Sequence, residues 1–127
     1  MSKNGMPLLP CDKHDTETAA ALGGLGWAQV EPIKPKILEW IQDGNWPVAA
    51  VLNPILASWG ARLAPFLKPI FEPDDDIWKY FILLNIVRSS PELATAMHFE
   101  LERIARYPTD NEQLEGVTEQ AQKILIT

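Results

Sequence analysis

Residues 74–90 read DDDIWKYFILLNIVRSS, and this stretch predicts the fold of the chain. Three aspartates are followed by a run of residues that is apolar on nearly every side. The run is too short and too interrupted by polar residues to span a bilayer. It also lacks the two-residue alternation of a strand, and no Gly or Pro interrupts it. We therefore expect a buried central helix around which the other helices pack.

Capping residues and apolar spacing predict further helices before this stretch. Asp15 or Thr16 is a suitable N-cap for the first helix, and residues 35–42 form the second. Asn45 is suited to cap a third helix in which Pro47 takes an early position. Pro54 lies inside that helix and is expected to kink or shorten it. Residues 61–71 also have helical spacing, again with internal prolines.

Two further start signals follow the central helix. Ser90 and Pro91 are typical of an N-cap and a first helical turn. Thr109 and Glu112 have the spacing of a capping box, which predicts that the last helix begins there. No segment has a convincing strand pattern, so the sequence predicts an all-α fold.

Length and charge narrow the classes of function. The 127 residues fit one domain over 1–127, with residues 1–13 as an extended arm. A net charge of −6 and scattered basic residues argue against a nucleic-acid surface. Cys11 is the single cysteine, so no internal disulfide is expected. The N-terminus does not resemble a signal peptide and no stretch is typical of a membrane span, which favours the cytoplasm.

The sequence contains a weak internal repeat. The block 45–56 aligns, with an offset of one residue, with the block that starts at residue 76, so that Trp46 matches Trp78 and Asn53 matches Asn85. Both pairs are separated by 32 residues, and each block follows an acidic turn. A period of this size, made of paired helices, is typical of stacked α-hairpins.

The chain resembles a small bacterial family called domain of unknown function 5071. The resemblance is carried by LLPCDKHDTETA, EWIQDGNWPVA, DDDIWKYFIL and LERIARYPTDNE, which together span nearly the whole chain. It implies a short HEAT-like α-α superhelix, with about six helices in three antiparallel pairs. It also implies protein binding, the usual role of such folds. The family often has a basic residue where this chain has Cys11, which argues against a required thiol.

The acidic turns are the candidate binding site. Aspartates occur at three corresponding turns between helices, and a tryptophan follows the first two of these turns. The candidate residues are Asp43, Trp46, Asp74, Asp75, Asp76, Trp78 and Asp110. Stacked acidic turns are expected to form a negative ridge that docks a basic partner. Simple capping at helix N-termini is the alternative for the aspartates, and packing between hairpins is the favoured interpretation of the tryptophans.

Other candidate sites have weaker support in the sequence. His14 and Asp15 suggest a metal site, but His98 is the single further histidine, so helix capping by Asp15 is favoured. The three consecutive aspartates lack the spacing of a calcium loop. Glu39, Glu100 and Glu102 are interpreted as solvated helix faces rather than as an acid–base pair. Cys11 would be reactive only if its neighbours lowered the pKa of its thiol.

The sequence therefore predicts a non-enzymatic protein-binding module with no catalytic, cofactor or metal site. We expect a monomer or weak homodimer that binds a basic protein, as an immunity protein does, and neither nucleic acid nor membrane. A nucleic-acid-processing enzyme on a HEAT scaffold is an alternative, and it would require a basic surface made by Lys34, Lys36, Arg62 and Lys68. The other alternative is a structural subunit that self-associates through exposed Trp or Phe side chains.

Overall fold

The computed structural model of the chain describes residues 9–72 and 75–126. Every regular element in these residues is helical and none is a strand, which confirms the all-α prediction. The α-helices are α1 (Thr16–Leu22), α2 (Trp27–Val30), α3 (Lys34–Glu39), α4 (Pro47–Ser58), α5 (Ala64–Leu67), α6 (Asp76–Asn85), α7 (Pro91–Ala96), α8 (His98–Arg106), α9 (Asp110–Leu114) and α10 (Val117–Leu125). Short 3-10 helices cover Glu31–Ile33, Gly60–Leu63, Lys68–Phe71 and Val87–Ser89.

The prediction of about six helices is wrong, because several predicted helices are divided into shorter ones. A proline stands in the first turn of four short segments between residues 31 and 71, where its missing N–H does no harm. Met97 separates α7 from α8, and Gly116 separates α9 from α10. Gly116 has φ +81°, a conformation that other residues rarely adopt.

The predicted caps are present at three helix starts. Asp15 accepts a hydrogen bond from the Thr18 backbone N–H at 3.3 Å, which confirms it as the N-cap of α1. The Ser90 hydroxyl accepts the backbone N–H of Leu93 at the start of α7. The predicted capping box at Thr109 is also complete, as described below.

The predicted cap at Asn45 is wrong. α4 begins one residue later, with Trp46 in extended conformation as its N-cap and Pro47 in the first turn. The backbone N–H of Asn45 is instead bound by the carboxylate of Asp43 at 2.8 Å, so the turn is closed before the helix starts. Pro54 lies inside α4, which nevertheless runs for 12 residues.

The central helix exists, but it is shorter than predicted and not buried on all sides. α6 ends at Asn85, and a 3-10 turn over Val87–Ser89 follows. Its buried face holds two charged residues beside Ile82 and Leu83, whereas Ile77 is 52% exposed. α6 contacts α4 and α10, so it does lie between the two halves of the chain.

One hydrophobic core joins helices from both ends of the chain, from Ala19 to Ile124. The N-terminal arm is attached to this body: Leu9 packs against the core, and the Lys13 carbonyl accepts the backbone N–H of Val48 at 3.1 Å. Residues 1–8 of the predicted arm lie outside the described residues.

Lys34 is fully buried in a box of aromatic rings. Its Nζ lies 3.1 Å from the ring centroid of Trp27, 5.0 Å from that of Phe66 and 5.3 Å from that of Trp59. Nζ has no hydrogen-bond acceptor among the described residues. Burial lowers the pKa of Lys34 to about 8, an effect that Glu31 opposes and Arg62 reinforces. Attraction to the negative ring faces offsets part of this loss of solvation.

Candidate functional site

The start of α6 is linked to the start of α9 and to α8 by buried charges. Asp76 is 4% exposed and pairs with Lys79 at 2.8 Å, and its other oxygen accepts the side-chain amide of Asn111 at 2.6 Å. Lys79 also contacts the fully buried carboxylate of Glu112 at 3.2 Å. The guanidinium of Arg103 binds Glu112 in bidentate fashion, at 2.9 and 2.5 Å.

Glu112 is the centre of this network. Burial opposes its charge, but hydrogen bonds from Arg103, from the Thr109 backbone and from Lys79 outweigh burial and hold the pKa of Glu112 at about 2. The same carboxylate completes the capping box, since Oε1 accepts the Thr109 N–H at 2.9 Å while the Thr109 hydroxyl accepts the Glu112 N–H at 3.1 Å. Two carboxylates therefore balance two cations, and the network is a structural link between helices.

This arrangement divides the predicted acidic residues into two groups. Asp76 is neutralised inside the network and does not present its charge to solvent. Asp75 is exposed and caps α6 by accepting the Trp78 backbone N–H at 3.2 Å. Asp110 is exposed in the first turn of α9. Asp74 lies outside the described residues.

A depression of about 360 Å³ lies next to the turn that contains Asp43. Two carboxylates line it, those of Asp43 and Glu115, and neither forms an ion pair with any residue in 9–72 or 75–126. Ile77 and the rings of Tyr80 and Phe81 provide its apolar part. The depression therefore combines unpaired negative charge with exposed apolar surface, which the sequence alone did not show for this turn.

The matched tryptophans of the repeat are partly buried and pack against the core. Trp46 meets Trp40 edge to face, with ring centroids 6.0 Å apart. The indole N–H of Trp78 is buried without an acceptor among the described residues. These positions correspond to the packing role that the sequence favours, and a role of either ring in binding a partner stays a prediction.

The matched asparagines line one shared depression. Asn53 of α4 and Asn85 of α6 face a shallow space of about 650 Å³, together with Gly44. The two halves of the repeat thus place equivalent positions along the same depression. Gly44 is required there, because a Cβ on it would lie 2.3 Å from Cδ1 of Phe81.

Cys11 and His14 do not belong, within the described residues, to any group of three or more side chains that could hold a metal ion. Asp15 caps α1 and also accepts the Cys11 backbone N–H at 3.0 Å. A hydrogen bond with Asp15, together with the nearby charge of Asp12, raises the pKa of the Cys11 thiol, which makes a thiolate less available. His14 is exposed.

Two of the four basic residues proposed for a nucleic-acid surface converge on one aromatic ring, where Arg62 is exposed and Lys34 is buried. The Arg62 guanidinium lies 4.7 Å from the ring of Trp27, the same ring that Lys34 contacts. Lys34 is buried and cannot reach a phosphate, whereas Lys36 and Lys68 are exposed. The charge of Lys34 therefore lies inside the fold and does not contribute to a basic surface.

Sequence reasoning missed Glu112, Glu115 and Ile77 as site residues. Glu112 was predicted only as part of a capping box, and no local signal indicates that its carboxylate is buried. Ile77 was assigned to the core because it stands in an apolar run. The run of apolar residues on α6 was wider than the face that the core covers.

Within residues 9–72 and 75–126, no group of three or more His, Cys, Asp or Glu side chains could hold a metal ion. In the same part of the chain, no helix is long and apolar enough to cross a membrane.

Comparison with known proteins places the chain in a family without assigning it an activity. None of the curated proteins matches the chain. The family described as domain of unknown function (DUF5071) matches residues 8–125. This match covers nearly the whole chain, and the protein therefore belongs to the DUF5071 family.

Proposed function

We propose that the protein is a non-catalytic binding module that docks a basic protein partner at the depression between Asp43 and Glu115. The observation that carries the proposal is that two carboxylates without an ion-pair partner among the described residues share one depression with the exposed side chain of Ile77. A lysine or arginine of a partner would pair with the carboxylates, while its aliphatic stem would cover Ile77 and the ring of Tyr80.

Further exposed acidic residues support this choice of partner. Asp75 and Asp110 stand at the starts of α6 and α9. The hydrogen bond from the Asn111 amide to Asp76 holds these two helix starts together. Asp75 and Asp110 would extend the negative field around the depression and speed encounter with a positive surface. The net charge of −6 acts in the same direction.

We also propose that the helices stack as a short HEAT-like superhelix. The matched positions Asn53 and Asn85 line one depression, which is the arrangement expected if α4 and α6 are equivalent elements of neighbouring repeats. Binding a basic toxin, as an immunity protein does, is the most specific form of this proposal. This form of the docking proposal is motivated by the small size and acidic charge of the chain.

The test compares capture by three forms of the protein from a lysate of its native source. The wild type should retain one stoichiometric basic protein that is released at high salt. The Asp43→Asn/Glu115→Gln variant should lose it. The Glu17→Gln/Glu39→Gln variant makes the same change in net charge at two exposed glutamates on α1 and α3 and should keep it. Equal capture by all three forms would refute the depression as the docking site.

Self-association is the second candidate function. It is favoured by the ring of Phe99, which is 78% exposed. Sedimentation at increasing protein concentration distinguishes the two. A dimer that Phe99→Ser abolishes would support a self-associating subunit, whereas a monomer at all concentrations supports the binding module.

A further inference from the structure

A further cavity shares no lining residue with the Asp43 depression and does not belong to the proposed docking site. It has a volume of about 450 Å³ and is formed by the 3-10 segment Lys68–Phe71, by Lys79 of α6 and by α8. Cavities of this size are typical of sites for small ligands or single side chains.

Glu100 is the unexplained residue of this cavity. Its Oε1 is shielded from solvent, and its carboxylate has no hydrogen-bond donor or ion-pair partner among the described residues. A buried carboxylate oxygen without a donor is unfavourable, and such groups in folded proteins normally have a partner. A donor placed in the cavity would supply it.

The charges around the cavity indicate which donor fits. Lys79 and Arg103 also line it, but both are already neutralised by Asp76 and Glu112. Three charged residues then remain on the lining, namely Lys68, Glu72 and Glu100. Their sum is one negative charge, which suits a ligand with one positive charge better than an anion or a neutral molecule.

The aromatic lining is consistent with a cation on an aliphatic chain. Phe71 is buried in the wall of the cavity, and Phe99 stands at it with most of its surface exposed. Ring faces attract an ammonium group and also cover the methylene chain that carries it. We propose that this cavity binds a primary alkylammonium group, with Glu100 as its ion-pair partner.

The test is a titration followed by backbone amide NMR with three probes that share one chain length. Hexylammonium should shift the amides around residues 99–103 and saturate. Hexanoate and hexanol should bind at least tenfold more weakly, because they lack the charge that Glu100 recognises. Equal binding of hexanol would show a purely apolar cavity, and tighter binding of hexanoate would show a cationic one; either result overturns the proposal.

Two matched variants locate the site. Glu100→Gln should weaken hexylammonium binding at least tenfold, and because no described residue pairs with the carboxylate of Glu100, this variant should fold like the wild type. Glu102→Gln, on the same helix, removes a carboxylate that pairs with Arg106 and His98 instead, and it should leave binding unchanged. Unchanged binding in Glu100→Gln, or no saturable shift with any probe, refutes the site.

A further probe separates the two sources of an ammonium group. Nα-acetyl-lysine N-methylamide carries the same head group on a peptide backbone. Binding as tight as that of hexylammonium assigns the cavity to a lysine of a partner protein, and binding at least tenfold weaker assigns it to a free amine. Because neither Asp43 nor Glu115 lines this cavity, failure of the docking proposal would leave this result unaffected.

Discussion

Lys34 makes a quantitative prediction possible, because its ammonium group is buried without a hydrogen-bond acceptor among the described residues. The change is Lys34→Met, which keeps a side chain of similar length and removes the charge. The pKa of Lys34 is about 8 in the folded protein, against 10.5 for an exposed lysine. This difference means that the buried charge lowers the unfolding free energy by at most about 3 kcal/mol.

The pH dependence follows from the direction of this pKa change. The folded protein binds the proton less tightly than the unfolded chain does, so the unfolded chain holds more protons between pH 8 and 10.5. Stability therefore rises with pH across this window. Below pH 8 the full cost of the buried charge is present, and above pH 10.5 it is absent.

The assay is urea unfolding followed by far-UV circular dichroism at pH 7 and pH 10. Lys34→Met should stabilise the protein at pH 7 by more than it does at pH 10, with a difference of about 2 to 3 kcal/mol between the two effects. Lys36→Met is the control, because Lys36 is exposed on the same helix α3, and its effect should not depend on pH. An effect of Lys34→Met that is equal at both pH values would refute the buried ammonium.

Three substitutions test the rest of the fold. Glu112→Gln should cost about 3 to 5 kcal/mol in urea unfolding, because Lys79 and Arg103 lose their buried partner. Since the pKa of Glu112 falls from 4.5 to about 2 on folding, the wild type should also lose stability as pH falls from 4.5 towards 2, and this loss should be smaller in Glu112→Gln. Thr109→Ala should lower the unfolding free energy by about 1 kcal/mol through loss of the N-cap, and an unchanged midpoint would contradict the capping box. Gly44→Ala should cost about 1 to 3 kcal/mol, because the new Cβ meets the ring of Phe81; Phe81→Leu in the same chain should restore part of this loss.

Helix starts were the most predictable part of the structure. Asp15, Ser90 and Thr109 each accept a backbone N–H three residues ahead. All atoms of such a bond lie within one helical turn, so residue type and spacing suffice to predict it. The cap of α4 was mispredicted because residue type favours Asn45, whereas the helix begins after the extended backbone of Trp46, which forms no side-chain cap hydrogen bond.

The number of helices was less predictable, because breaks depend on packing as well as on residue type. Pro54 does not end α4, whereas prolines at residues 65 and 69 stand at the starts of new segments. Gly116 interrupts a segment whose apolar spacing is continuous across it. A proline or glycine signals that a break is possible, but the surrounding contacts decide whether it occurs.

Residue type and local spacing were sufficient to predict the all-α class, most of the caps and the membership of the DUF5071 family. The positions of the charges of Lys34, Asp76 and Glu112, in contrast, depend on how the helices pack. Lys79 contacts Glu112 across 33 positions of the chain, and two of the three rings around Lys34, those of Trp59 and Phe66, come from segments much later in the chain. Burial of a charge depends on such distant partners, whereas a cap depends on the next turn, so patterns of local residues predict the second and not the first.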